Sequence, residues 1–277
     1  MEPYLPNYLK GKNRRLVFDL LRERGQMSRA EITRDTGMSF PTAMKVVDAF
    51  LEKGLLVELD ETGPAAGAGR KGRLLRFEPG AYRAVGVECE GRFARVGLAD
   101  MAGGVQARET IELGDFARTR DLSPIAAAIR RMCAAANGAP VLGVCIGFPA
   151  NLDPDAAAIV SYAAMDIQQP TSFAQVFPAF WREVELPVYL ENDANLACEG
   201  EAFLRRGAGG AANMLYLSIG SGCGGAVRLD GKLRRGARCR AGEVGAMLLQ
   251  PALGAPGRSA ARETLEDAVC LAALERR

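Results

Sequence analysis

The chain has 277 residues, 48% hydrophobic, 25% charged and 6% aromatic, with 32 Gly, 14 Pro and a formal net charge of +2. These values describe a globular protein with room for one large or two modest domains, and they exclude a disordered chain, a collagen and a coiled coil. There is no His, which also excludes Ser-His-Asp and Cys-His nucleophilic sites and every imidazole-based metal site.

No run of about 18 apolar residues occurs, so no spanning helix and no membrane partner are expected. The start, Met1-Glu2-Pro3-Tyr4-Leu5-Pro6, has neither a basic nor an apolar signal region, and the expected location is the cytoplasm. Seven cysteines (Cys89, Cys133, Cys145, Cys198, Cys223, Cys239, Cys270) are scattered without C-x-x-C spacing. They read as reduced thiols, with no metal or other cofactor. Residues 1–80 carry 14 Lys+Arg against 11 Asp+Glu, and the remainder 21 against 22. This mild asymmetry accompanies a division into domains over 1–80 and 81–277.

Asn13 to Arg24 puts Leu16, Val17, Leu20 and Leu21 on one stripe of a helix stopped at Gly25. Ser28-Arg29-Ala30-Glu31 has the form of a capping box, opening a second helix that ends at Thr36-Gly37. A third restarts with Ser39 as N-cap and Pro41 in its first turn, burying Ala43, Met44, Val46, Val47, Phe50 and Leu51. Two short helices joined by about three residues with a Gly form the helix-turn-helix pattern. Gly54–Leu59 and Arg73–Phe77 read as strands flanking a loop rich in Gly and Ala (residues 61–69), which makes a winged helix-turn-helix with that loop as the wing.

Such a unit suits double-stranded DNA. The third helix would offer Ser39, Phe40, Thr42 and Lys45 from its N-terminal half to a major groove. The wing would lay Arg70, Lys71 and Arg73 along phosphates or in a minor groove. Ser28 and Arg29 sit at a helix N-terminus, where amides and the helix dipole favour a phosphate oxygen. The same three helices also fit a packing unit or a module for protein contacts.

From Tyr82 the pattern changes. Ala84–Cys89, Phe93–Ala99 and Val105–Ile111 form an expected antiparallel meander, followed by a helix over Leu122–Ala136 and a strand over Val141–Pro149 buried on both faces. A helix over Ser172–Glu183 leads to strand Val188–Leu190 and the polar run Glu191-Asn192-Asp193-Ala194-Asn195. Helix Ala197–Arg205, strand Met214–Ser218 and the glycine-rich Gly220-Ser221-Gly222-Cys223-Gly224-Gly225 follow. Strands interleaved with helices predict a mixed-sheet α/β body. Its glycine-rich segment is either a phosphate cradle or a plain turn. Asp193, at a strand's C-terminal end, is either a ligand-facing carboxylate or an Asx cap of the next helix.

Taken in order, these motifs resemble the ROK family, which groups bacterial sugar-responsive repressors with sugar kinases on an actin-like ATPase (ribonuclease H-like) fold. The resemblance rests on the capping box with Thr36-Gly37-Met38-Ser39, on Gly69-Arg70-Lys71, on Glu191–Asn195, on Gly220–Gly225 and on Ala241-Gly242-Glu243-Val244-Gly245. It implies that Asn192, Asp193 and Glu243 line a sugar site, with Asp193 where kinases place their catalytic base. Kinase members generally lack the winged helix, so the resemblance points to the repressor branch and implies a homodimer or higher oligomer.

Against the family pattern, the first phosphate loop is replaced by Gly86-Val87-Glu88-Cys89-Glu90-Gly91-Arg92-Phe93, in which Glu90 would repel a triphosphate. The family's zinc-binding His after Gly245 is Ala246, and Pro251–Glu266 has no Cys where the zinc element belongs. The expectation is a DNA-binding repressor of carbohydrate genes that answers to a sugar effector and has no catalytic residues. The alternatives are a sugar kinase with weak ATP-dependent activity on a hexose, and a regulator whose body only dimerises.

Overall fold

The structure, a computed structural model, describes residues 5–62, 73–205, 212–249 and 263–275. The chain divides into two compact units, Met1–Arg83 with Asp100–Gly104, and Ala84–Ala99 with Val105–Arg277. Among the described residues no helix is long and apolar enough to cross a membrane.

In the smaller unit the helices are α1 (Leu5–Arg24), α2 (Arg29–Thr36) and α3 (Phe40–Glu52), and the strands are β1 (Gln26–Ser28), β2 (Leu56–Thr62) and β3 (Arg73–Phe77). Helix α1 begins at Leu5 rather than at Asn13 and ends where Gly25 takes φ +72°. Gly37, at φ +66°, makes the tight corner between α2 and α3, a conformation that would strain a side-chain-bearing residue. Strand β1 was not expected; it pairs antiparallel with β3, giving the order β1-β3-β2. The three helices and the sheet close over Val17, Leu21, Met27, Ile32, Val46, Val47, Phe50, Leu56, Leu75 and Phe77. Full burial of such side chains stabilises by about 1.5–3 kcal/mol each, before the ordering entropy is subtracted.

The larger unit opens with the meander β4 (Arg83–Glu90), β5 (Phe93–Asp100) and β6 (Val105–Glu112). Helices α4 (Phe116–Thr119) and α5 (Ser123–Ala135) follow, then β7 (Val141–Phe148), the short strands β8 (Asn151–Asp153), β9 (Ala158–Ser161) and β10 (Thr171–Ser172), and helices α6 (Phe173–Val176) and α7 (Pro178–Glu183). Instead of one helix over Ser172–Glu183 there are two, because Pro178 has no N–H to continue the first. Strand β11 (Val188–Asn192) is parallel to β7, completing a five-stranded sheet of order β11-β7-β4-β5-β6. Alternate residues Val85, Val87, Cys89 and Ala94, Val96, Leu98 face one core, where the Phe148 ring meets Phe116, Tyr162, Phe173 and Phe177 edge-on at centroid distances of 5.4–5.7 Å.

Helix α8 (Asp193–Leu204) packs against β7 and also against a second sheet, β12 (Met214–Ile219), β13 (Cys223–Leu229) and β14 (Lys232–Arg234), all antiparallel. Two short helices, α9 (Leu265–Val269) and α10 (Leu271–Leu274), follow. Because α8 touches both sheets, its first turn is the place where residues from each come together.

Candidate functional site

The N-terminal half of α3 carries the first set of expected contact residues. Phe40 is 56% exposed, an unusual cost for a large aromatic ring, and Ser39 and Lys45 are exposed beside it. Ser39 takes the N-cap position without bonding the helix amides; its hydroxyl pairs with Thr42 Oγ1 at 2.9 Å. Thr42 is half-buried, and its hydroxyl faces the same end of the helix.

Three of the expected contact residues have partners within the protein. Ser28 is buried: its hydroxyl and its N–H both donate to Glu31 Oε2 at 2.8 Å, and Glu31 N–H donates back to Ser28 Oγ at 3.3 Å. The capping box is complete, so the Ser28 hydroxyl is engaged by the helix, and Glu31 puts a negative charge at that helix end. Arg29 donates to Glu58 Oε1 at 2.5 Å, and Arg73 lies 3.6 Å from the other oxygen of Glu58. Both guanidinium groups are therefore tied to a carboxylate that any phosphate must outcompete. Arg70 and Lys71 lie outside the described residues.

The second set gathers at the first turn of α8. Asn192 ends β11 opposite Phe148 of β7. Its Oδ1 accepts from Asn195 N–H at 3.1 Å, and its Nδ2 donates to the Ala150 carbonyl at 3.3 Å. The cap of α8 is thus Asn192 and not Asp193, and only one of its amide hydrogens remains for a ligand. Asp193 accepts from Ala194 N–H at 2.8 Å. Burial, with Glu88 and Glu90 adding repulsion, pushes its carboxyl above the ordinary carboxylate range.

Glu243 arrives from the segment after β14, fixed by backbone contacts that only glycine permits. A Cβ on Gly245 would come within 2.0 Å of the Cys223 carbonyl oxygen, and one on Gly242, at φ +94°, within 2.4 Å of that of Gly225. Surrounding protein holds the Glu243 carboxyl above its ordinary range, with Arg240 opposing and Asp193 and Glu266 reinforcing the shift. With its amide turned so that both ends are satisfied, Asn151 donates to Glu243 Oε1 at 2.9 Å and to the Cys239 carbonyl at 3.2 Å, and accepts from Ser161 Oγ at 3.0 Å. Arg240 Nη2 donates to the same hydroxyl at 3.2 Å.

Half of the glycine-rich segment is strand. Gly224 and Gly225 sit in β13 opposite Ser218 and Leu217, leaving Gly220-Ser221-Gly222 as the turn. The Cys223 N–H is already engaged by Glu266 Oε2 at 2.9 Å, and Glu90 Oε1 lies 3.1 Å from where a Cβ of Gly220 would be. Carboxylates border the turn that a phosphate would need. The family's zinc does not fit either: Ala246 cannot ligate, and among the described residues no three His, Cys, Asp or Glu side chains form a metal-binding group. Residues 251–262, where the zinc element belongs, lie outside the described residues.

Sequence reasoning missed a buried support beneath these residues. Glu191 accepts from Arg235 Nε and Nη2 at 2.9 and 2.5 Å, and its other oxygen accepts from Asn192 N–H and Asn195 Nδ2, each at 3.0 Å. Glu191 and Asn195 were visible as part of the polar run; Arg235 had no local signal. Asp193, Glu243 and one Asn192 hydrogen provide acceptors and a donor for vicinal hydroxyls, and the carboxylates repel polyanions.

Comparisons with known proteins agree on the larger unit. The model of the ROK family matches residues 84–277. The chain is 27% identical over 241 residues to the xylose repressor of Caldicellulosiruptor bescii, covering 86% of this chain and 58% of that protein. It is 34% identical over 139 residues to the glucokinase of Halalkalibacterium halodurans, covering 48% of this chain and 39% of that one. A solved ROK family transcriptional regulator, a homolog of the E. coli MLC protein, has the same fold over 97% of this chain and 66% of its own, with a TM-score of 0.75 at 18% identity. The chain therefore spans under two thirds of the repressor and regulator it matches.

Proposed function

Since the chain belongs to the ROK family, we propose that it is a DNA-binding repressor of carbohydrate genes whose body takes a sugar as effector and does not phosphorylate it. One observation carries this reading. The 241-residue likeness to a xylose repressor is longer than the matched family segment 84–277, so it reaches into the N-terminal unit, whereas the likeness to the glucokinase covers 48% of the chain.

In this reading residues 1–80 are a winged helix-turn-helix. Helix α3 enters the major groove with Ser39, Phe40, Thr42 and Lys45, and Arg70, Lys71 and Arg73 meet the backbone. A hydroxyl pair, an ammonium and an exposed ring are the groups that read base edges and a thymine methyl. The body, residues 81–277, holds a sugar against Asp193, Glu243 and Asn192. A sugar can release DNA only through a difference in its affinity for the DNA-bound and free states.

Phosphoryl transfer is mainly positioning and charge neutralisation, and Glu90 and Glu266 bring negative charge to the turn. The kinase alternative draws on the likeness to the glucokinase and on Asp193, the residue that the family resemblance puts in the role of base. A gel shift of the full chain on the DNA flanking its own gene, with a panel of sugars, tests the choice. The repressor reading expects salt-dependent binding that Lys45→Glu weakens roughly tenfold on all sequences and that a sugar relieves. Sugar-dependent ADP release lost in Asp193→Asn, without DNA binding at low salt, would establish the kinase instead.

A further inference from the structure

The larger unit holds a cavity of about 360 Å3 that none of Asn192, Asp193 and Glu243 lines. It lies between the corner that ends α4 and the chain running from β9 through β10 into α6. Its volume falls at the low end of the range of small-molecule sites. The floor is apolar: Met165 and Val176 are 8% and 3% exposed, and half-buried Ile167 completes it. Arg120, Asp166, Gln168 and Gln169 form an exposed polar rim, with the half-buried Thr171.

Two backbone corners fix the charges of that rim. Arg120 ends α4 at φ +54° and ψ +32°, its N–H donating to the Phe116 carbonyl at 2.8 Å. Asp166 ends the single helical turn Ala163–Met165 at φ +53° and ψ +33°, its N–H donating to the Ala163 carbonyl at 3.1 Å. The left-handed region is costly for residues other than glycine, and for Arg more than for Asp. Residues held in it against that cost gather at ligand sites, and both charged residues of this cavity are of that kind.

These two charges do not satisfy each other. Among the described residues Arg120 makes no ion pair, whereas Arg118 of the same helix lies 3.4 Å from Asp115. The Asp166 carboxylate accepts through Oδ1 from Gln168 Nε2 at 2.9 Å, a bond that orients it and leaves its other oxygen open. A cation and an anion thus border one apolar floor, each with bonding capacity to spare.

We propose that this cavity binds a small zwitterion, a free α-amino acid with an aliphatic side chain. The Arg120 guanidinium takes the carboxylate, Asp166 accepts from the ammonium, and Met165, Ile167 and Val176 take the side chain. A neutral sugar would leave both rim charges without a counter-ion. A simple carboxylic acid or amine would satisfy one of them only, and a polar group deprived of its partner on binding lowers affinity.

Calorimetry of the full chain with leucine, with isocaproate (which lacks the ammonium) and with isoamylamine (which lacks the carboxylate) tests the proposal. Leucine should bind roughly tenfold or more tightly than either. Arg120→Gln should weaken leucine and isocaproate about tenfold and leave isoamylamine unchanged. Asp166→Asn, which keeps the acceptor for Gln168 and tolerates the left-handed corner, should weaken leucine and isoamylamine by a similar factor and leave isocaproate unchanged. Circular dichroism of each variant checks that the fold is retained. No heat with leucine at millimolar concentration, equal affinity for the three compounds, or leucine binding that survives both substitutions would overturn the proposal. Neither DNA nor a sugar enters the experiment, so its failure would leave the repressor reading standing.

Discussion

The two units bury different things. The smaller one closes a largely aliphatic core and keeps its chemistry outside, on the exposed end of α3. Among the described residues its one buried polar side chain is Ser28, spent on a helix cap. The larger unit gathers several phenylalanines at one place in an otherwise aliphatic core and takes Glu191, Asn195 and Arg228 inside. An outward polar surface suits a large partner that brings its own charge, whereas inward polar groups, already desolvated and oriented, suit a small ligand that must be enclosed.

The contrast breaks most sharply at Phe148. Its ring is fully buried among four aromatic neighbours, so Phe148→Ala should cost about 3–5 kcal/mol. The chain's single tryptophan, Trp181, packs against Phe173 of the same core, which makes urea unfolding followed by its fluorescence a readout of the larger unit. Leu21→Ala, in the smaller core, should cost about 2–5 kcal/mol and move the circular-dichroism transition while the fluorescence transition stays in place. If both substitutions shift both signals equally, the units do not unfold independently.

Asp193→Asn sharpens the same contrast from the ligand side. Loss of a charged acceptor should weaken sugar binding by about 1.5–3 kcal/mol in calorimetry. Stability should move the other way. Burial raises the Asp193 and Glu243 carboxyls above their ordinary values of 3.8 and 4.5, so the native state holds protons that the unfolded chain releases. Their contribution to stability is therefore full below those ordinary values and is lost as pH rises through the raised ones. Asp193→Asn should flatten this decline and be more stable than the parent at neutral pH. A variant that is less stable there would mean that the carboxylate is compensated by a partner.

How far these sites could be read from the chain depends on the range of the interaction. The helix-corner glycine at Gly37, the Ser28–Glu31 box and the alternation of Val85, Val87 and Cys89 are local patterns, and the fold follows them. The break at Pro178 is also local, and the missing N–H should have indicated it. Neighbouring Asn192 and Asp193 are both good caps, and only the Ala150 carbonyl, reached across the sheet, selects Asn192. Arg235 meets Glu191 across 44 positions, and Glu266 meets Cys223 across 43; no periodicity encodes such pairs. Strands β8 to β10 have two to four residues each, too few for alternation to show.

Within the smaller unit, Ser28→Ala removes the hydroxyl that accepts from Glu31 N–H and should cost about 1 kcal/mol. Here the pH dependence has the opposite sign to that of the larger unit. Hydrogen bonds from the Ser28 N–H and hydroxyl hold the Glu31 carboxyl below its ordinary 4.5. That stabilisation is present above the ordinary value and is lost as pH falls through the lowered one. Acid titration of the melting temperature should therefore fall less steeply in Ser28→Ala than in the parent.

The smallest expected change in stability separates surface use from folding most cleanly. Phe40 precedes Pro41 in the first turn of α3 and, at 56% exposed, lies outside the core formed by Val46, Val47 and Phe50. Removing a ring that solvent already reaches should change unfolding free energy by no more than about 0.5 kcal/mol. If the ring instead meets a thymine methyl, Phe40→Ala should cost about 1–3 kcal/mol of discrimination at one base position, while the salt dependence stays that of the parent because no phosphate contact is removed. A Phe40→Ala chain that melts like the parent and binds every operator variant like the parent would leave that exposed ring without a role in DNA recognition, and the specificity of α3 would then rest on Ser39, Thr42 and Lys45.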